Sequence, residues 1–297
     1  MSKSIGVVIN CDTRPGYMDA HSYCGMATGG GGRSIDFLID NVKNKVNFFK
    51  GYDIEVTLYV DLHQDLDSFY MSRLHNMQRE GLIHNLILAR NSHQFMGKEL
   101  RQWHDTMYLN ALMLSRAEYV AHFDGDTSAF RQDDCRCIEE WIEMIESGKC
   151  KIISYPTFFS PNEGDIPGNN ALPAPPGGFD YLWASTRFFF CRRDQINYNA
   201  IVELFDDEKW IVAHAGRPHR YPNVTEQILG FLAGPGQVCY PPKDLSKYMI
   251  FSWHDYYAGT IRNLNGLPYE DVKDYIINEC GGINGPCDVA QKESMKW

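Results

Sequence analysis

The sequence predicts an α/β protein built on a mostly parallel sheet, and three observations predict it. Short apolar runs rich in β-branched residues alternate with helical stretches through the first half of the chain, the pattern of βαβ units. Polar and charged residues stand where several of those runs stop, as expected of a sheet that binds ligands beyond the carboxyl ends of its strands. The 297 residues, 44% hydrophobic and 22% charged, suffice for a sizeable core.

Each element has its own justification. Residues 5–10 (IGVVIN) read as a buried strand. A loop rich in glycine follows, ending in the run at 29–32. Ser34 is placed to cap a helix over 35–49, whose Ile35, Leu38, Ile39, Val42 and Val46 share one face. Gly51 stops that helix. Residues 54–61 (IEVTLYVD) predict a second strand, 66–79 a polar helix, and 82–89 a third strand. A helix over 99–116 leads to a strand at 119–123, which ends in Asp124-Gly125-Asp126. A helix over 135–147 and a strand over 152–155 complete the first half.

The second half changes character. Residues 158–179 carry Pro161, Pro167, Pro173, Pro175 and Pro176 and read as a long functional loop. Strands are predicted over 187–192, 237–240 and 249–253, and helices over 194–205, 225–232 and 269–278. The chain divides at about residue 156 into two halves of one domain, 1–156 and 157–297.

Composition narrows the function. With 28 Lys and Arg against 38 Asp and Glu, the net charge is −10, which argues against nucleic acid as a partner. Nine scattered cysteines form no C-x-x-C pair, so neither a structural zinc site nor a disulfide framework is expected. There is no secretory signal pattern and no apolar run of transmembrane length. The expectation is a cytoplasmic protein with reduced thiols and no transmembrane segment.

Asp124-Gly125-Asp126 carries the most chemistry. Two carboxylates one residue apart in a tight turn can face a hard divalent cation, and Gly125 lets the backbone approach closely. Such a cation, Mn²⁺ or Mg²⁺, stabilises a departing diphosphate. The competing reading is a turn capped by Asp124 with Asp126 in solvent. Asn10, Asp12, Asp61, Arg90 and Asp124 all fall at or just beyond strand ends and are expected to line one edge. Arg14, close behind, suits a diphosphate. For Asp12, Arg14 and Asp61, a solvated turn or strand end competes equally. The glycine run at 29–32 lacks phosphate-loop spacing and reads as a flexible loop.

The stretch from Asn110 to Asp126, with Glu118-Tyr119-Val120 leading into Asp124-Gly125-Asp126, resembles the nucleotide-sugar-dependent glycosyltransferases of the GT-A fold, in their family-2-like, D-x-D form. Further matches follow in order. Phe188 to Arg193 is similar to the family's acceptor-side strand with its basic pair. Thr225-Glu226-Gln227 stands where a helix opens with two acids, and Trp253-His254-Asp255 where a His completes the metal site. The chain departs at Arg116-Ala117, at His122 inside the strand, and at Gln227 for the second acid.

The resemblance covers residues 5–254. It implies a GT-A-like α/β/α sandwich with a Rossmann-like, mostly parallel sheet and a smaller C-terminal acceptor-side region. It implies metal ligands Asp124, Asp126 and His254. Asn10, Asp12, Arg14, Asp61, Arg90, Asn110 and Asp124 would serve a nucleotide-sugar donor, a UDP-sugar by the family's habit. The acceptor would be a glycan or another hydroxyl compound. Glu226 is the candidate general base, with Asp180 as the second candidate. Two other functions compete: a sugar-nucleotide nucleotidyltransferase, and a non-catalytic carbohydrate-binding protein of the same fold.

Overall fold

The computed structural model describes residues 3–12, 35–62, 65–66, 68–90, 112–125, 127–154, 188–196, 233–234, 236–239, 247–252, 263–264 and 267–268. The glycine run at 29–32, the Pro-rich stretch 158–179, the helices expected at 225–232 and 269–278, and most of that expected at 99–116 lie outside these residues.

Seven strands form the main sheet. They are β1 (Ser4–Asp12), β2 (Asp53–Leu62), β3 (Asn85–Arg90), β4 (Tyr119–Asp124), β6 (Ile152–Ser154), β7 (Phe188–Arg192) and β8 (Val238–Cys239), in the order β3-β2-β1-β4-β7-β6-β8. The first four run parallel, and so do β6 and β8. β7 runs antiparallel to both β4 and β6. The mixed α/β, mostly parallel sheet expected from the sequence is therefore present. A second, antiparallel ladder pairs β5 (Thr127–Arg131) with β9 (Tyr248–Ser252). β10 (Asn263–Leu264) and β11 (Leu267–Pro268) form a small hairpin.

Side-chain alternation gives the sheet two distinct faces. One face carries Ile5, Val7, Ile9 and Cys11 of β1, Val56, Leu58 and Val60 of β2, Tyr119, Ala121 and Phe123 of β4, and Phe188 and Phe190 of β7. Helices α1 (Ile35–Phe48), α2 (Ser68–Arg79) and α3 (Cys137–Glu146) pack their apolar stripes on it. α1 contributes Ile35, Leu38 and Val42, as its periodicity predicts. Trp141 of α3 is fully buried, with its ring 5.5 Å from Phe188, 5.7 Å from Phe190, 5.9 Å from Phe48 and 5.6 Å from Tyr248. α3 ends where Gly148 takes φ +75°, a conformation that L side chains rarely adopt.

The opposite face carries Gly6, Val8 and Asn10 of β1, Thr57 and Tyr59 of β2, His122 and Asp124 of β4, and Phe189 of β7. Tyr59 packs there with Ile87, Ala89 and Leu114. Gly6 admits the segment before β4. A Cβ at this position would lie 1.8 Å from Ser115 Oγ and 2.7 Å from Ser115 Cβ.

The short β5 is fastened to α1 by two asparagines. Asn44 Oδ1 accepts from the Ala129 amide at 2.6 Å, and Ser128 Oγ donates to Asn41 Oδ1 at 2.5 Å. Lys45 of the same helix is fully buried, its Nζ donating to the Asn41 carbonyl at 3.3 Å and standing 5.5 Å from the Phe123 ring centre.

The stretch after β7 differs from expectation over its described part. The helix expected from residue 194 opens as a 3₁₀ turn, Arg193–Gln195, after which Ile196 is extended at φ −89° and ψ 133°. Asp194 accepts from Arg192 Nη2 at 3.0 Å instead of capping a helix.

Candidate donor site at the carboxyl edge of the sheet

β1 is the point where the winding of the sheet reverses. β2 and β3 lie on one side of it and β4 on the other. Such a switch point leaves a crevice beyond the carboxyl ends of the two central strands. The residues expected at strand ends converge there. β1 ends at Asp12, β2 one residue past Asp61, β3 at Arg90 and β4 at Asp124. Register fixes their neighbours: Asn10 pairs with Asp124, Asp12 with Asp61, and Leu62 with Arg90.

Asp124 is nearly buried and shares a sheet face with Asn10. Asn10 and His122 are fully buried, with Asn10 Nδ2 2.8 Å from His122 Nε2. The Gly125 amide donates to the Asn10 carbonyl at 2.7 Å and carries the β1–β4 pairing one step past the strand end. The turn after Asp124 is therefore held on β1. His122 lies flat on Phe189, with ring centres 4.9 Å apart and planes at 19°.

Asp126, Arg14, Asn110, Asp180, Glu226 and His254 lie outside the described residues. Their chain neighbours carry information on two of them. Thr127, next after Asp126, is the register partner of Ser252, two residues before His254. The antiparallel β5–β9 pair thus brings together two segments 125 positions apart in the sequence. Among the described residues, no three His, Cys, Asp or Glu side chains form a group able to hold a metal ion. The fully buried Thr127 hydroxyl has no hydrogen-bond partner among the described residues. An orphaned buried oxygen directly after the second acid fits a site completed by a polar ligand or a hydrated cation.

Sequence reasoning treated His122 only as a departure from the family pattern and did not find β5. A signal for His122 was present: it stands two residues before Asp124 in a strand, hence on the same face. β5 carried no such signal, because TSAFR is short and its partner lies far along the chain.

No protein-family model and no curated protein matches the chain. Among solved structures, the chain is similar to the galactosyltransferase LgtC, solved with donor and acceptor sugar analogs. The identity is 14% and the TM-score 0.45, over 79% of this chain and 72% of that one. It is also similar to HddC from Yersinia pseudotuberculosis, at 12% identity and TM-score 0.40, over 87% of this chain and 97% of that one.

Proposed function

We propose that this chain is a glycosyltransferase that moves a sugar from a nucleotide-sugar donor, a UDP-sugar, to a hydroxyl acceptor with inversion. One observation carries the reading. Asn10, Asp12, Asp61, Arg90 and Asp124 stand at or beside the carboxyl ends of β1 to β4, around the β1–β4 switch point. The β5–β9 pairing supports it, since it joins the strand that follows Asp126 to the strand that precedes His254.

In this reading Asp124, Asp126 and His254 would hold Mn²⁺ or Mg²⁺, which would supply charge stabilisation for a diphosphate leaving group. The chain's own residues do the rest. Asp61 would accept from the base and Arg14 would serve the diphosphate, with Arg90 among the donor-binding residues. Glu226 takes the proton of the acceptor hydroxyl, with Asp180 as the alternative base. Positioning donor and acceptor together supplies much of the rate.

Calorimetry with UDP, with and without Mn²⁺, tests the reading, followed by a screen of nucleotide-sugars for slow hydrolysis. Metal-dependent UDP binding together with donor hydrolysis is the expected result. Pyrophosphate release from a nucleoside triphosphate and a sugar phosphate would point to a nucleotidyltransferase. Glycan binding without nucleotide binding would point to a carbohydrate-binding protein. Glu226→Gln is expected to slow transfer by about 100-fold or more with UDP affinity unchanged. Transfer within a few-fold of wild type would move the base to Asp180 or replace inversion with retention.

A further inference from the structure

His122 is a polar residue in a strand whose other members from Tyr119 to Phe123 are apolar and buried. Its ring stacks face to face on Phe189, and Asn10 Nδ2 approaches its Nε2 at 2.8 Å. Asn10 is bonded to β4 at two points. Its side chain reaches His122, two residues before Asp124, and its carbonyl accepts from Gly125, one residue after. Its own register partner is Asp124. The two bonds therefore bracket Asp124 along the strand.

Burying an imidazole and an amide inside a sheet costs free energy that an apolar pair of similar size would not. Backbone pairing already holds β1 to β4 over Ile5–Asn10. The side-chain bond adds a fixed azimuth for Asn10 at the last register position. Asn10 is fully buried and stands beside Asp124 at the end of the β1–β4 ladder.

We propose that His122 is a positioning residue for the donor site, acting through Asn10 to fix Asp124 for the diphosphate and its cation. This rests on the donor reading above. A ligating carboxylate needs such a mount, since affinity falls steeply when the groups that orient a ligand are lost.

The test is calorimetry of Mn²⁺ and UDP with wild type, His122→Phe, His122→Gln, Asn10→Ser and the double variant His122→Phe/Asn10→Ser, each with a thermal melt. Phe keeps the stacking ring and removes the nitrogen that meets Asn10, whereas Gln keeps a polar group able to bond it. His122→Phe is expected to weaken Mn²⁺-dependent UDP binding about tenfold or more, and His122→Gln to restore most of it. Asn10→Ser keeps the main-chain bond to Gly125. It should match His122→Phe, and the double variant should be no worse than either single one. If His122→Phe does not fold, the comparison of Asn10→Ser with His122→Gln decides. UDP affinity equal to wild type in Asn10→Ser would overturn the inference, as would additive losses in the double variant. So would losses that follow the melting temperature alone, with no rescue by Gln. A wild type that binds no UDP with Mn²⁺ overturns the donor reading and this inference together. A binding wild type with indifferent variants overturns the inference alone.

Discussion

Asp124 stands between two kinds of environment, with the apolar strand Tyr119–Phe123 behind it and the turn at Gly125 ahead. Asp124→Asn keeps its size and hydrogen-bonding shape and removes the charge. It is expected to weaken Mn²⁺-dependent UDP binding by about tenfold or more, with the fold intact by circular dichroism. Undiminished binding in the folded variant would remove Asp124 from the metal site. A second residue-scale expectation concerns pH. Glu146 accepts from Lys3 and, at 2.8 Å, from the Tyr119 hydroxyl, and these donors hold its carboxyl below the usual carboxylate range. A depressed carboxylate stabilises the fold above its unfolded pKa, and that contribution is lost as pH falls through the depressed value. The melting-temperature gap between wild type and Glu146→Gln should therefore be constant near neutrality and close below about pH 4. A gap that persists unchanged into acid would show that charge plays no part. Strand-end residues such as Asp61 and Arg90 were legible in the sequence, because an apolar run that stops at a charge marks its own boundary. The partnership of Asn10 with His122 was not, because it depends on which strand lies beside β1, and register is a property of the assembled sheet.

At the scale of elements, the strong signals were the periodic ones. The helix expected over 35–49 is Ile35–Phe48, and the one expected over 135–147 is Cys137–Glu146. The strands at 54–61 and 187–192 appear as Asp53–Leu62 and Phe188–Arg192. β3 begins three residues later than its apolar run. Leu82 and Ile83 instead close the end of α2 through bonds to the Met77 carbonyl, and Ile83 is buried in the core. An apolar residue at a helix terminus looks the same in sequence as one in a strand. The antiparallel insertion of β7 was invisible for a related reason. Phe188–Arg192 declares a buried strand but not its direction, which depends on how the long connection before it runs. Gly6 offers a test of element packing. A side chain there meets Ser115, whose Oγ accepts from the Ala117 amide at 3.2 Å and so shapes the entry into β4. Gly6→Ala should destabilise the protein by about 1–3 kcal/mol in urea unfolding. A variant as stable as wild type would show that the 112–117 segment moves aside freely.

At the scale of the whole molecule, strands from both sides of residue 156 share one sheet. The second half supplies β7 and β8 to the main sheet and β9 to β5. β6 belongs to the first half, yet both of its sheet neighbours, β7 and β8, come from the second. Phe188, Phe189 and Phe190 are all fully buried. Burying each contributes roughly 1.5–3 kcal/mol, and a whole protein is stable by only about 5–15 kcal/mol. Residues 1–156 alone would lose all three, expose the edge of β4 and strip one face from Trp141. That fragment is therefore expected to bind a hydrophobic dye and to melt without a cooperative transition. Co-expressed with 157–297, it should elute as a complex with native near-ultraviolet circular dichroism. A sharp, reversible melt of 1–156 by itself would overturn this. The result bears on function as well as on folding. β9 holds the strand end that precedes His254 against β5, and Thr127 of β5 follows Asp126. A first half that folded alone would carry the carboxylates without their partner strand, so Mn²⁺-dependent UDP binding should appear only when both halves are present.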